Sequence, residues 1–150
     1  MLLIEKFVED YCLGEKVVTG GKTVGHSDIN AFAGLTLDFH PAHIDQVFAE
    51  AQFGNRMAHG MLTFSLVTGL TCEYNLRAFS YGYDKVRFLR PVFPGDTISA
   101  TSEVVGIEPR PSKPHGLIRK RYEGLNNSGE LVFVCEHILA VERRKEGSDA

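Results

Sequence analysis

Ionisable side chains are concentrated in one short stretch of this 150-residue sequence. The residues concerned are Asp38, His40, His43, Asp45 and His59. Polar groups beside an apolar core are costly unless they are paired, so this density requires an explanation. A carboxylate and an imidazole on one rigid segment can hold a water molecule between them, and the imidazole can accept that water's proton. Asp38 and His43 are the predicted pair, and Pro41 between them restricts the backbone.

A second feature follows directly after His59, where an apolar segment begins with Gly60. The backbone N–H groups in the first turn of a helix have no acceptor within that helix. The positive end of the helix dipole lies at the same place. A carbonyl oxygen that gains negative charge would be stabilised there, as in an oxyanion hole. These residues therefore predict acid–base chemistry next to an oxyanion site.

Other interpretations of these residues remain open. Asp38, His40, His43 and His59 offer oxygen and nitrogen ligands for zinc or iron. Pro41 separates His40 from His43, so they lack the shared helical face of a typical two-histidine metal motif, and we predict no metal. A structural role is the other alternative. It explains Asp45 fully as a helix cap, and for His59 we favour core packing or a structural hydrogen bond over catalysis.

The elements that position these residues divide the chain in two. Residues 27–74 have helical patterns, while residues 80–143 have strand patterns. One helix is predicted to start at Ser27–Asp28, and a helix from about His59 to Tyr74 has apolar residues around its whole circumference. A helix of that kind is expected to be buried on every side.

Between these two helices we predict a loop and a short helix. The apolar pattern breaks around Pro41, which places Asp38–His43 on the loop. Asp45 can cap the short helix, and Gly54 lies just past its end.

Long strands, in which apolar and polar residues alternate, are predicted to pack over the apolar helix. They span Lys16–Val24, Tyr83–Leu89, Thr97–Ile107, Leu117–Leu125 and Leu131–Arg143, and residues 126–129 form a hairpin turn. An antiparallel sheet wrapped around one buried helix is the most economical α+β architecture, and it is called the hot-dog fold. We expect one domain over residues 1–150, since this length suits a single core.

Composition and charge exclude several classes of protein. The net charge is −3, the pI is near 6.1 and no Lys/Arg-rich run is present, so no nucleic-acid partner is expected. Met1–Ile4 meets Glu5 at once, which predicts no signal peptide. The longest uncharged stretch, Met57–Cys72, is too short for a membrane span. We therefore expect a soluble protein with no membrane partner.

The cysteines indicate the cellular compartment. Cys12, Cys72 and Cys135 form no CxxC pair, which argues against a disulfide framework or a zinc-thiolate site. Each cysteine is expected to act as a small buried hydrophobe. This usage suits the reducing cytosol, so a cytoplasmic location is predicted.

The sequence resembles the MaoC-like dehydratases, a family that includes the (R)-specific enoyl-CoA hydratases. The matching segments are 27–29, 32–33, 38–45, 53–54, 58–62, 70, 86–88, 91–92 and 95–97. The most specific part is the string Asp-x-x-Pro-x-His-x-Asp, from Asp38 to Asp45, with the later His-Gly-Met from His59 to Met61. One residue departs from the pattern, because relatives usually have Asn where this chain has His40.

The resemblance implies a hot-dog enzyme that acts on acyl-CoA thioesters, as a homodimer or higher oligomer. It implies that Asp38 and His43 activate water and that the Gly60 N–H receives the thioester oxygen. Thr68 falls where relatives often carry Ser, and together with His59 it is predicted to bind substrate.

The implied reaction is the reversible, cofactor-free hydration of a trans-2-enoyl-CoA to an (R)-3-hydroxyacyl-CoA, which makes the protein a hydro-lyase. A hot-dog acyl-CoA thioesterase is one alternative. A non-catalytic module that binds acyl thioesters is another. The presence of both Asp38 and His43 argues against the binding module, because binding alone needs neither residue.

Overall fold

The computed structural model describes residues 2–145, in which the strands form one antiparallel sheet. The strands are β1 Lys16–Val18, β2 Lys22–Thr23, β3 Ala78–Phe88, β4 Thr97–Glu108, β5 His115–Leu125 and β6 Leu131–Glu142. Their order in the sheet is β1-β4-β5-β6-β3, and β2 also pairs with β4. The predicted domain of residues 1–150 includes Met1 and residues 146–150, which lie outside the described residues.

The helices all lie between β2 and β3 in the sequence, apart from a short 3-10 turn over Val8–Asp10. They are α1 His26–Thr36, α2 Pro41–Ile44, α3 Gln46–Phe53 and α4 Gly60–Leu70. The Asp45 carboxylate accepts a hydrogen bond from the Phe48 N–H at 3.0 Å and so caps α3. Gly54 ends α3 with a φ of 83°. The predicted cap and helix end are therefore confirmed. No helix in residues 2–145 is long and apolar enough to cross a membrane.

Strand alternation produces the core as expected. Along β4 the side chains of Ile98, Ala100, Ser102 and Val104 are all buried, while the residues between them are more exposed. β5 and β6 form the predicted hairpin, in which the Asn126 N–H donates to the Glu130 carbonyl at 3.0 Å.

Helix α4 lies against the inner face of this sheet. Its Val67 is fully buried, and a Cβ added to Gly124 of β5 would lie 2.7 Å from a Val67 methyl carbon. Only glycine permits this close approach of helix and strand. The α+β prediction of an antiparallel hot-dog sheet wrapped around one helix is confirmed.

The prediction for the helix itself was wrong in two respects. α4 is shorter than predicted, since it ends at Leu70 rather than near Tyr74. It is also not buried on every side within one chain, because Met61, Ser65 and Gly69 form an exposed stripe. These residues are spaced four apart, which places them on one face of the helix, away from the sheet.

Several smaller expectations also need correction. β3 begins at Ala78, five residues before the predicted start at Tyr83, and the strand predicted over Lys16–Val24 is two short strands. Cys12 and Cys72 are exposed, and only Cys135 is buried as expected. Apolar neighbours in sequence do not bury a cysteine at the end of a helix or in a surface turn.

The inner face of the sheet becomes polar below the C-terminal end of α4. The ring of His137 bonds through Nδ1 to the Tyr122 hydroxyl and through Nε2 to the Ser80 hydroxyl, both at 2.9 Å. Close by, the buried Lys120 ammonium pairs with the Glu73 carboxylate. We call Ser80, Tyr122 and His137 the distal network.

Candidate active site

The segment that carries Asp38 begins where α1 ends. The Asp28 carboxylate accepts a hydrogen bond from the Gly25 N–H at 2.7 Å, which stabilises the start of α1. At its other end Leu37 has a φ of 62°, in the left-handed region that costs a non-glycine residue about 1 kcal/mol or more. This turn stops the helix and directs the chain into Asp38.

His43 lies on a short helix, so the prediction of a loop over Asp38–His43 is wrong for its second half. Pro41 occupies the first turn of α2, where its missing N–H costs nothing. The His40 ring accepts a hydrogen bond from the Ala42 N–H at 3.2 Å through Nδ1. His40 therefore caps α2, a role that an asparagine side chain performs equally well.

The His43 ring is held in one orientation. Its Nδ1 lies 2.8 Å from the Met57 carbonyl oxygen, and because that oxygen can only accept, Nδ1 carries the proton. In the neutral ring Nε2 is then an unprotonated acceptor. Burial lowers the pKa of His43, partly offset by the bond to Met57. The ring is consequently neutral at neutral pH and can accept a proton.

His59 lies behind His43 and is almost completely buried, with 2% of its surface exposed. The two imidazole rings are stacked with their centroids 3.8 Å apart. The His59 Nε2–H donates to the Asp38 backbone carbonyl at 3.0 Å, which ties the loop to the start of α4. Its Nδ1 is buried and has no hydrogen-bond partner within residues 2–145.

The Asp38 carboxylate lies at the surface next to these rings. It accepts a hydrogen bond from the His40 N–H at 3.2 Å. Ligand atoms of Asp38, His43 and His59 all lie within 4.8 Å of one another, and His40 does not belong to this group. A single water molecule with hydrogen bonds of about 2.8 Å can bridge such a separation between Asp38 and His43.

A cavity of about 460 Å³ opens beside His43, and we call it the site cavity. Its lining includes His43, Met57, Gly60, Thr63, Phe88 and Arg90. Gly60 is the first residue of α4, so its N–H has no acceptor within the helix. The Phe88 ring would lie 3.2 Å from a Cβ at this position, so close packing by Phe88 is a further reason for glycine here.

Of the predicted site residues, Asp38, His43, His59 and Gly60 come together and Thr68 does not. Thr68 is eight residues after Gly60, or about 12 Å along α4. Its hydroxyl donates to the Ser65 carbonyl at 3.1 Å, and it lines a different cavity. His59 lies behind the His43 ring rather than in the lining of the site cavity.

The site cavity also has a charged lining residue that was not predicted from the sequence. Arg90 lines the cavity, and its guanidinium is 3.5 Å from the Glu130 carboxylate. The available signal was a single cation directly before Pro91, at the end of a strand that leads back to the site.

Comparison with known proteins gives a consistent result. A model described as "MaoC like domain" matches residues 10–123. The (R)-specific enoyl-CoA hydratase of Rhodospirillum rubrum is 36% identical over 109 residues, which cover 71% of this chain and 75% of that protein. The solved structure of a monoamine oxidase regulatory protein from Archaeoglobus fulgidus has a TM-score of 0.88 and 35% identity, and covers 94% of this chain and 97% of that one.

Some relatives are much longer than this chain. The mesaconyl-CoA hydratase of Cereibacter sphaeroides is 32% identical over 97% of this chain, which spans 43% of that protein. The protein MaoC of Klebsiella aerogenes is 38% identical over 62% of this chain, which spans 29% of it.

Proposed function

This chain belongs to the MaoC-like family, and on that basis we propose that it is a hydro-lyase that adds water reversibly to trans-2-enoyl thioesters. One observation carries the proposal. A ring nitrogen of the neutral His43 and the Asp38 carboxylate lie within 4.8 Å of each other, close enough for one water molecule to bridge them, and His43 and Gly60 line the same cavity. The names of several relatives describe hydratases of this kind.

In the proposed reaction His43 accepts a proton from water as the oxygen attacks the β-carbon. Asp38 orients the water and helps to return a proton to the α-carbon. The Gly60 N–H stabilises the enolate-like thioester oxygen. Acid–base catalysis typically contributes about 10²–10⁴-fold in rate, and one oxyanion donor about 10²–10³-fold.

The substrate is proposed to be an enoyl-CoA and the product an (R)-3-hydroxyacyl-CoA. The similarity to an (R)-specific enoyl-CoA hydratase supports this choice. Similarity to a mesaconyl-CoA hydratase over nearly the whole chain makes a branched, carboxylated enoyl-CoA the second substrate to test.

We further propose a two-fold dimer, with the site near the subunit boundary, in the cytoplasm. Met61, Ser65 and Gly69 leave one face of α4 uncovered, and β3 is an open edge of the sheet. Open edges are usually paired or covered in natural proteins. The free cysteines fit a reducing compartment. Sedimentation of a fully active monomer would contradict the dimer.

A two-channel assay tests the reaction. Crotonyl-CoA is supplied while the enoyl absorbance and the release of free thiol are followed together. We expect rapid loss of absorbance with almost no thiol, and chiral analysis giving the (R) product. In a thioesterase the water must lie over the carbonyl carbon rather than the β-carbon, and a displacement of about 1 Å can cost about 10²-fold. Thiol release equal to substrate loss would therefore identify a thioesterase. If neither the absorbance nor the thiol concentration changes, the protein is a binding module.

Metal-dependent chemistry is the second candidate, and one observation favours it. The three ligand atoms of Asp38, His43 and His59 lie within 4.8 Å, and His59 Nδ1 has no partner within the described residues. Metal analysis of the purified protein decides between the candidates. We expect full activity after treatment with a chelator. Stoichiometric zinc or iron together with chelator-sensitive activity would favour the metal.

A further inference from the structure

The site cavity has one fixed positive charge in a largely apolar lining. Among the described residues that line it, Arg90 alone carries a permanent charge, because burial keeps His43 neutral at neutral pH. Most of the other lining side chains are apolar, and they include Phe53, Met57 and Leu89. An anionic group that enters such a cavity loses hydration and needs a charged partner. Arg90 therefore favours a ligand that brings a negative charge into the cavity.

Arg90 lies across from the start of α4. The Ala58 N–H donates to the Val92 carbonyl at 2.7 Å. Two residues further along the chain, a Cβ at Gly60 would lie 3.2 Å from the Phe88 ring. The two segments therefore run in opposite directions, with Arg90 midway between the contacts. Because paired extended segments are about 5 Å apart and an arginine side chain extends about 7 Å, the Arg90 guanidinium is no more than about 12 Å from the Gly60 N–H.

The ion pair that Arg90 forms within the chain is easily exchanged. Its guanidinium is 3.5 Å from the Glu130 carboxylate, and the two side chains are 56% and 46% exposed. Exposed ion pairs contribute little to stability, so Arg90 can turn towards a carboxylate in the cavity at small cost. A guanidinium and a carboxylate then form two parallel, charge-assisted hydrogen bonds.

Distance decides which anionic group of a thioester substrate meets Arg90. With the thioester oxygen at the Gly60 N–H, a carboxylate on the β-carbon lies about 4 Å from the carbonyl carbon. Hydrogen bonds at the two ends add about 3 Å each, which gives a span of about 10 Å. The phosphates of coenzyme A are about 14 bonds from the same carbon, or about 17 Å along an extended chain. The carboxylate fits the reach of Arg90, and the extended coenzyme does not.

We propose that Arg90 makes the enzyme selective for enoyl thioesters that carry a second carboxylate on or next to the β-carbon. These substrates are the monothioesters of unsaturated dicarboxylic acids. This inference rests on the proposed hydratase function. Arg90 binds the carboxylate and so holds the β-carbon beside the water of Asp38 and His43. It determines specificity and takes no part in the proton transfers.

The first test compares crotonyl-CoA with fumaryl-CoA, in which a carboxylate replaces the crotonyl methyl group. The two substrates differ in intrinsic reactivity, so the decisive quantity is the change in their kcat/KM ratio on substitution. Arg90→Gln should lower the ratio of fumaryl-CoA to crotonyl-CoA by about 10- to 100-fold, as expected for a lost hydrogen bond between charged groups. The loss should be in KM for fumaryl-CoA, because the carboxylate is bound equally in the ground state and the transition state.

Two further variants serve as controls. Arg90→Lys keeps the charge and should retain part of the preference, although an ammonium cannot form the paired hydrogen bonds of a guanidinium. Arg121→Gln removes an exposed arginine that pairs with Glu123 and does not line the site cavity, and it should leave the ratio unchanged. An unchanged ratio in folded Arg90→Gln, or an equal fall in Arg121→Gln, would overturn the proposal.

Truncated thioesters separate the carboxylate from the phosphates. Thioesters of N-acetylcysteamine contain no phosphate, so their crotonyl and fumaryl forms should show the same effect of Arg90→Gln as the CoA substrates. If Arg90→Gln instead impaired both CoA substrates equally and had no effect on the truncated ones, Arg90 would bind the phosphates and the proposal would be wrong.

A binding measurement separates this proposal from the reaction itself. Succinyl-CoA and butyryl-CoA are the saturated counterparts of the two substrates and cannot be hydrated. Calorimetry should show that the natural protein binds succinyl-CoA about tenfold more tightly than butyryl-CoA, and that Arg90→Gln binds both equally. Equal binding of both by the natural protein would contradict the role of Arg90. If no enoyl thioester is hydrated, the hydratase proposal fails, and this comparison still tests the carboxylate site.

Discussion

Helix α4 begins beside one group of histidines and ends above another. At its N-terminal end His43 and His59 are stacked, and within residues 2–145 each ring has one nitrogen hydrogen-bonded to the protein. At its C-terminal end both nitrogens of His137 are bonded, to Tyr122 and to Ser80. Both regions place imidazoles close to an apolar core, but they differ in how many ring nitrogens are hydrogen-bonded within the described residues.

The difference indicates which region is built for chemistry. A buried polar group that has all its partners contributes to stability, whereas one without them is costly and needs another reason to be there. His59 Nδ1 is such a group within residues 2–145. The distal network is satisfied internally, so we interpret it as structural and the N-terminal end as the reacting one.

The largest expected effect comes from the pair at the N-terminal end. Asp38→Asn and His43→Gln are nearly isosteric and should each remove about 10²–10⁴-fold in kcat, because the water loses its base or its orientation. Steady-state kinetics with crotonyl-CoA measures the loss. The two residues share one water, so the double variant should lose little more than either single variant. Full activity in either folded single variant would remove that residue from the mechanism.

The distal network should affect stability rather than catalysis. Burial, assisted by the nearby charge of Lys120, lowers the pKa of His137 to about 4, while an unfolded histidine titrates near 6.5. Between these two pH values the unfolded chain binds a proton that the folded chain excludes. The free energy of unfolding should therefore fall by roughly 2–3 kcal/mol as the pH drops from 6.5 to 4.

Urea unfolding at several pH values tests this dependence. His137→Gln should lose most of it and retain kcat near neutral pH. The smaller dependence that remains is assigned to His43, whose pKa is lowered as well. If the free energy of unfolding of the variant depended on pH as steeply as that of the natural protein, groups other than His137 would cause the pH dependence. A large loss of kcat in the folded variant would show that the two ends of α4 are coupled.

The smallest effect is expected at His40, which lies between Asp38 and His43 in sequence but acts as a cap. His40→Asn should preserve both activity and stability, because asparagine can also accept a hydrogen bond from the Ala42 N–H. His40→Ala removes the cap and should cost about 1 kcal/mol in unfolding free energy. Thermal unfolding and crotonyl-CoA kinetics measure both properties. His43→Asn is expected to lose activity. If His40→Asn lost activity as well, capping α2 would not be enough to explain the role of His40.

The comparison also shows which features were accessible from sequence. The Asp45 cap and the hairpin at Asn126 depend on local chemistry, so a few adjacent residues were enough to predict them. Asp38 and His43 are close in sequence, and the chain had little freedom to separate them. Their predicted roles stay predictions until the variants are measured.

Features that depend on distant segments could not be obtained in this way. The partners of His137 come from β3 and β5, and a single inward-facing histidine on a strand does not identify them. The exposed stripe on α4 was missed because composition shows that a helix is apolar without showing what covers each face. The distance of Thr68 from Gly60 already followed from the predicted helix, about 12 Å for eight residues, whereas its predicted role came only from the resemblance.

The pH dependence of kcat/KM for crotonyl-CoA hydration tests most directly whether the N-terminal end of α4 supplies a neutral histidine base. This parameter reports the pKa of the essential base in the free enzyme. Because burial lowers the pKa of His43, the rate should stay constant down to about pH 6.5 and decline only below it. A decline that begins clearly above pH 6.5, or no decline in the acid range, would contradict the assignment of His43 as the base.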